Sequence, residues 1–126
     1  MSREKQEVRR RFREAVFERD RNTCVVCGLV SADAAGLDAH HVWPREKMPN
    51  GGYVKENGVT LCDHVKAQTS TDGCHARAER ILAAHFERGK DLPTEGDPDY
   101  EVSPHALYAK IGSSQALAET VSARTR

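Results

Sequence analysis

Leu37-Asp38-Ala39-His40-His41-Val42-Trp43-Pro44 is the stretch that decides the fold. It has the alternation of a short strand, and Pro44, with no N–H to give to a sheet, stops it. Gly58-Val59-Thr60-Leu61-Cys62 supplies a second short strand, and the two are expected to pair as a hairpin across the intervening loop. That loop holds Pro44, Pro49 and the Gly51-Gly52 pair, so it reads as irregular chain. From Cys74 the period becomes helical: Ala78, Ile81, Leu82, His85 and Phe86 fall on one stripe, with Gly89 as a stop. A hairpin followed by a helix makes a small α+β core.

Outward from this core the chain is simpler. Val8, Phe12, Ala15 and Val16 recur on one face of an N-terminal helix that should end near Asp20-Arg21-Asn22. Ser31 to Gly36 reads as a loop. Beyond Lys90, Pro93, Gly96, Pro98 and Pro104 break regular structure. A short helix is expected over 104–111, and the last dozen residues, rich in Ser, Ala and Thr, are expected to fray. The organisation is therefore a basic helix (1–22) packed on a core (23–90), then a partly irregular C-terminal extension (91–126). There are no internal repeats.

With 126 residues, 38% hydrophobic and 30% charged, the chain is one domain with a thin core, a situation in which a structural metal adds stability that packing cannot. The formal net charge is zero, so no bulk basicity announces nucleic acid. The first helix nevertheless gathers Arg3, Lys5, Arg9, Arg10, Arg11, Arg13, Arg19 and Arg21. Glu4, Glu7, Glu14 and Glu18 interleave with them, so the helix reads equally as a solvated face and as a phosphate-facing one. The N-terminus has no apolar segment of a signal peptide, and no apolar run approaches the ~20 residues that span a bilayer. Four cysteines in that setting favour metal ligation over disulfides. A cytoplasmic protein with no membrane partner is expected.

Cys24-Val25-Val26-Cys27-Gly28 has the C-x-x-C spacing of a zinc half-site, with Gly28 free to take the positive φ of a tight turn. Cys62 and Cys74 are the expected second half, separated by the eleven residues 63–73. His64 is an alternative to one of them. A redox C-x-x-C would call for a thioredoxin-like βαβ pattern, which the chain lacks. Structural zinc contributes on the order of 10 kcal/mol in small domains, so these cysteines are expected to be scaffold.

Adjacent histidines divide two tasks: one ring binds a metal while its neighbour stays free to take a proton. The ordered set of a C-x-x-C knuckle, His40-His41 before a proline, Gly51-Gly52, Asn57, Leu61-Cys62 and Cys74-His75 resembles the HNH endonuclease family from Cys24 to about Glu79. That resemblance implies a ββα-metal fold clasping one divalent ion. On it, His41 takes the place of the general base, and Asn57 that of the asparagine that braces the loop and orients the base. His40 and His75 take the places of the metal ligands. Asp38 is a rival ligand, and Glu79, one helical turn after His75, sits where some relatives carry another. Arg45 follows the proline within reach of a phosphate; Trp43 reads as core, and His64, His85 and His105 as incidental. The long Cys62–Cys74 insertion departs from the family pattern; residues 66–73 would form a private loop near the DNA.

The expected function is thus metal-dependent hydrolysis of DNA phosphodiesters, nicking or cutting, by a one-metal mechanism. A structural zinc and a catalytic Mg, Mn, Ni or Zn ion are expected. DNA contacts would be mostly to the backbone, from Arg45, Arg9, Arg10 and Arg13. The small size suits a stand-alone phage or bacterial enzyme beside a larger DNA-processing partner. The alternative is a non-catalytic zinc knuckle that binds nucleic acid or protein.

Overall fold

The computed structural model describes residues 2–63 and 73–124, with backbone alone over 121–124. The expected loop over 66–73 and the alternative ligand His64 fall outside the described residues, save Gly73 at the start of the second helix.

Helix α1 (Arg3–Asp20) is capped by the Ser2 hydroxyl, which accepts the Lys5 N–H, and ends on a left-handed Arg21. It buries Phe12, Val16 and Phe17, while Val8, expected inside, is 45% exposed. The stripe is therefore rotated toward Phe17. Strands β1 (Leu37–His41) and β2 (Gly58–Cys62) pair antiparallel, Leu37 opposite Cys62 and His41 opposite Gly58. β1 stops two residues earlier than the alternation suggested. Past it, the Val42 N–H donates to the Asn57 carbonyl at 2.9 Å. The connection is a run of 3-10 turns over Arg45–Lys47, Pro49–Gly52 and Lys55–Asn57.

α1 lies against one face of the hairpin, so close that a Cβ on Gly58 would stand 2.6 Å from Phe12 and Val16. That proximity requires glycine there. The end of α1 also covers the outer edge of β2. The Thr60 N–H donates to Asp20 at 2.9 Å, and the Gly58 carbonyl accepts from Arg19 at 2.6 Å. The Val25 N–H of the knuckle donates to the Thr60 carbonyl at 3.0 Å. An edge that would otherwise invite another strand is thereby occupied.

The other face of the hairpin receives α2 (Cys74–Arg88), which buries Ala78 and Leu82 and ends, as expected, on left-handed Gly89. Trp43 meets Phe86 edge-on at 5.2 Å, at the border of the core. Leu37, Val42, Val59, Leu61 and Leu107 fill the centre.

The C-terminal extension is more regular than its composition suggested. A 3-10 turn (Pro98–Val102) leads into α3 (Pro104–Lys110), near the expected bounds, which buries Leu107 and Tyr108. The expectation of a frayed terminus is corrected: Gln115–Arg124 form α4. Ser114 accepts the Leu117 N–H at 3.1 Å, and Ala118 is fully buried. A side-chain cap and one buried contact outweigh low-propensity Ser and Thr. Among the described residues, no helix is long and apolar enough to cross a membrane. The molecule is a small α+β domain.

Candidate active site

Three elements deliver the cysteines: the knuckle after α1 brings Cys24 and Cys27, the end of β2 brings Cys62, and the start of α2 brings Cys74. Their sulfurs all lie within 4.8 Å of one another and could hold a metal ion. Cys27 and Cys62 sulfurs are 3.8 Å apart. Tetrahedral Zn–S bonds of ~2.3 Å place sulfurs about 3.8 Å apart, so the donor set fits zinc. The Cys74 N–H points at the Cys62 sulfur at 3.2 Å, and Gly28, at φ 81°, closes the knuckle. The Cys24 thiol is held down to about 4, first by the hydrogen bond from Cys74 and then, against burial, by backbone N–H groups. A buried thiolate among N–H donors is the form a metal takes up.

A second cluster lies between β1 and α2. His40, His75 and Glu79 offer ligand atoms that also lie within 4.8 Å of one another. His75 Nε2 is 3.0 Å from Glu79 Oε1, and His40 Nδ1 is 3.7 Å from the same oxygen. Two donors each ~2.0–2.1 Å from a tetrahedral ion stand about 3.3 Å apart, within that range. His40 is 2% exposed, and neither ring nitrogen has a hydrogen-bond partner. Orphaned buried imidazole nitrogens are costly unless something takes their lone pair. Burial, first, pushes His40 below the ordinary imidazole range. Glu79 is pulled well below the carboxylate range by His40 and then His75. Burial works against a charged His75, yet Glu79 and Asp38 together raise it.

Asp38 was expected as a rival ligand. It shares the strand face of His40, but its carboxylate meets His75 Nδ1 at 3.0 Å, the ring nitrogen turned away from Glu79. Carboxylate–imidazole pairs of this kind fix the ring's tautomer and orientation in metal sites. Glu79, given a lesser place in the sequence, is the carboxylate whose oxygen lies with the His40 and His75 nitrogens. Its signal was there: four residues after His75 is one helical turn.

His41 points the other way. Strand alternation sends its ring toward α1, where it stacks on Phe12 at 4.5 Å and meets the edge of Tyr53 at 4.8 Å. Its Nε2 is buried without a partner. Burial, then the charges of His40 and Arg45, hold it down at about 4, so the ring is neutral at physiological pH. β1 stays regular through His41, so the two adjacent rings leave it on opposite faces.

Asn57 is fully buried. Its Oδ1 accepts the Trp43 N–H at 3.0 Å, and its Nδ2 donates to the carbonyls of Trp43 at 3.1 Å and Gly52 at 3.4 Å. It ties the turn before β2 to the two residues after His41. The same Oδ1 accepts from Tyr108, a residue that carried no signal in the sequence.

The arginines divide. Arg10 is bound to Glu7 and Glu14, and Arg13 lies over the Phe17 ring at 4.9 Å. Arg45 donates to the Tyr53 hydroxyl at 3.1 Å. Arg9, Lys5 and Lys55 line a cleft of about 850 Å³ between α1 and the 50–55 turn, floored by Val8, Phe12 and Tyr53. Phe12 and Tyr53 are also the two rings that hold His41, so the cleft borders that histidine and not the His40 cluster. No family model, curated protein or solved structure matches this chain.

Proposed function

We propose that the chain is a metal-dependent DNA endonuclease of the HNH kind, with zinc on Cys24, Cys27, Cys62 and Cys74 and a second divalent ion (Mg, Mn, Ni or Zn) on His40, His75 and Glu79. The observation that carries this is His40: a buried ring with both nitrogens unpartnered, facing a second imidazole and a carboxylate. When bound, the ion's contribution is positive charge against the phosphate and leaving oxygens. The rest falls to the chain. His41 is the proton acceptor for the attacking water: it is neutral, and its Nε2 has no competing partner. Asn57 holds the backbone just after it. Asp38 orients His75. Arg9 and Arg45, whose charges bear on His41, neutralise backbone phosphates beside it. Because His40 and His41 leave β1 on opposite faces, the scissile phosphate must lie across the end of the strand, beside Pro44. DNA gripped through its backbone and a larger processing partner complete the proposal.

A second reading is favoured by one observation: His41 is packed between Phe12 and Tyr53 like a core residue. On that reading the chain is a non-catalytic metal-stapled module that binds nucleic acid or protein.

Cleavage of supercoiled plasmid separates the two. Protein stripped of its second ion is refilled with Mg, Mn, Ni or Zn and compared with His41→Ala whose zinc content is unchanged. Cutting restored by metal and lost in the variant supports the nuclease; plasmid that stays intact under every metal supports the binding module.

A further inference from the structure

We propose that Tyr108, in the C-terminal extension, is a positioning residue of this site: through Asn57 it fixes Val42 and Trp43, the segment that directly follows His41. Its catalytic consequence rests on the nuclease reading; its structural claim does not.

The hydrogen-bond directions are forced. The Trp43 N–H can only donate, so the Asn57 side-chain atom 3.0 Å from it is the oxygen. The Tyr108 hydroxyl is 2.6 Å from that same oxygen and therefore donates. With two bonds accepted at Oδ1 and two donated from Nδ2, the amide is fully used and cannot flip without losing partners. The Asn57 backbone carbonyl takes the Val42 N–H as well. One asparagine thus holds both residues that follow His41, and Tyr108 holds the asparagine.

Tyr108 comes from a helix fifty-one positions downstream and is 6% exposed. The extension that carries it is pinned at its other end to α2. Arg77 donates to Glu101 at 2.7 Å and to the Pro98 carbonyl at 3.0 Å. Residues 98–108 therefore bridge the helix that bears His75 and Glu79 to the loop behind His41. The extension is part of the site's frame, although it lies outside the stretch that carries the catalytic residues. The plain alternative is that a buried tyrosine hydroxyl merely found an acceptor. In that case its loss would loosen the domain evenly.

The test is Tyr108→Phe, which removes one oxygen and keeps the ring, in zinc-loaded protein of all 126 residues. Amide hydrogen exchange is read by NMR at Trp43 and, for comparison, at Val59 and Leu61 in β2. Plasmid cleavage is followed alongside. The expected result is exchange at Trp43 accelerated about tenfold beyond any change at Val59 and Leu61, with kcat reduced about tenfold at unchanged KM. Equal changes at all three amides, or none, overturn the proposal. Selective exchange with unaltered kcat overturns the positioning role. If the wild type cuts nothing, it is the nuclease reading that fails, and the exchange pattern still decides whether Tyr108 holds the loop.

Discussion

His40 is the residue on which the proposed second metal rests, because it is the candidate ligand with no other partner. His40→Ala should lower the metal content from two ions per chain to one, measured by elemental analysis, while the thiolate site stays loaded. His41→Ala should leave both ions in place, since its ring faces α1. Asp38→Asn keeps the size of the side chain and removes the charge that steadies His75. Removing such a partner typically weakens a metal ~10–100-fold, which a competing chelator dye would report. Residues whose placement follows from near neighbours were legible in the sequence: the C-x-x-C pair, His40, and Cys74-His75 each fall in a cluster that could hold a metal. The part of Asp38 was not, because whether a carboxylate binds the ion or the ligand beside it depends on where α2 comes to rest. Tyr108 was illegible for a plainer reason: nothing near position 108 says that position 57 needs a second donor.

Among the elements, the packing of α1 on the hairpin is the tightest. Gly58→Ala should push Phe12 and Val16 outward and cost about 1–3 kcal/mol, the usual range for overpacking a filled core. A thermal melt would register this as a fall of several degrees, and the stack of His41 on Phe12 should loosen with it. The hairpin and both main helices were readable because hydrophobic period and glycine stops agree with the tertiary structure. α4 was missed because its composition speaks for disorder, whereas its Ser114 cap and buried Ala118 only count once the neighbouring loop is in place. The rotation of α1 toward Phe17 was missed likewise: Val8 has the right spacing, but it lines an open cleft and stays 45% exposed.

At the scale of the whole molecule, cysteines from three separate segments converge on one point. Cys62→Ser or prolonged chelation should abolish the cooperative unfolding transition seen by circular dichroism, because on the proposed zinc site one ion would join the knuckle, β2 and α2. Zero net charge hides an uneven surface. Arg9, Lys5 and Lys55 share one cleft, so on the nuclease reading DNA affinity should fall steeply with salt, and Arg9→Ala should flatten that dependence by about one ion.

Cys62 and Cys74 bracket the long insertion and yet meet in one cluster. On the proposed zinc site, the end of β2 and the start of α2 would therefore share one ion, a link additional to the peptide between them. That join would be a mineral bond beside a peptide bond, broken and remade by the supply of metal.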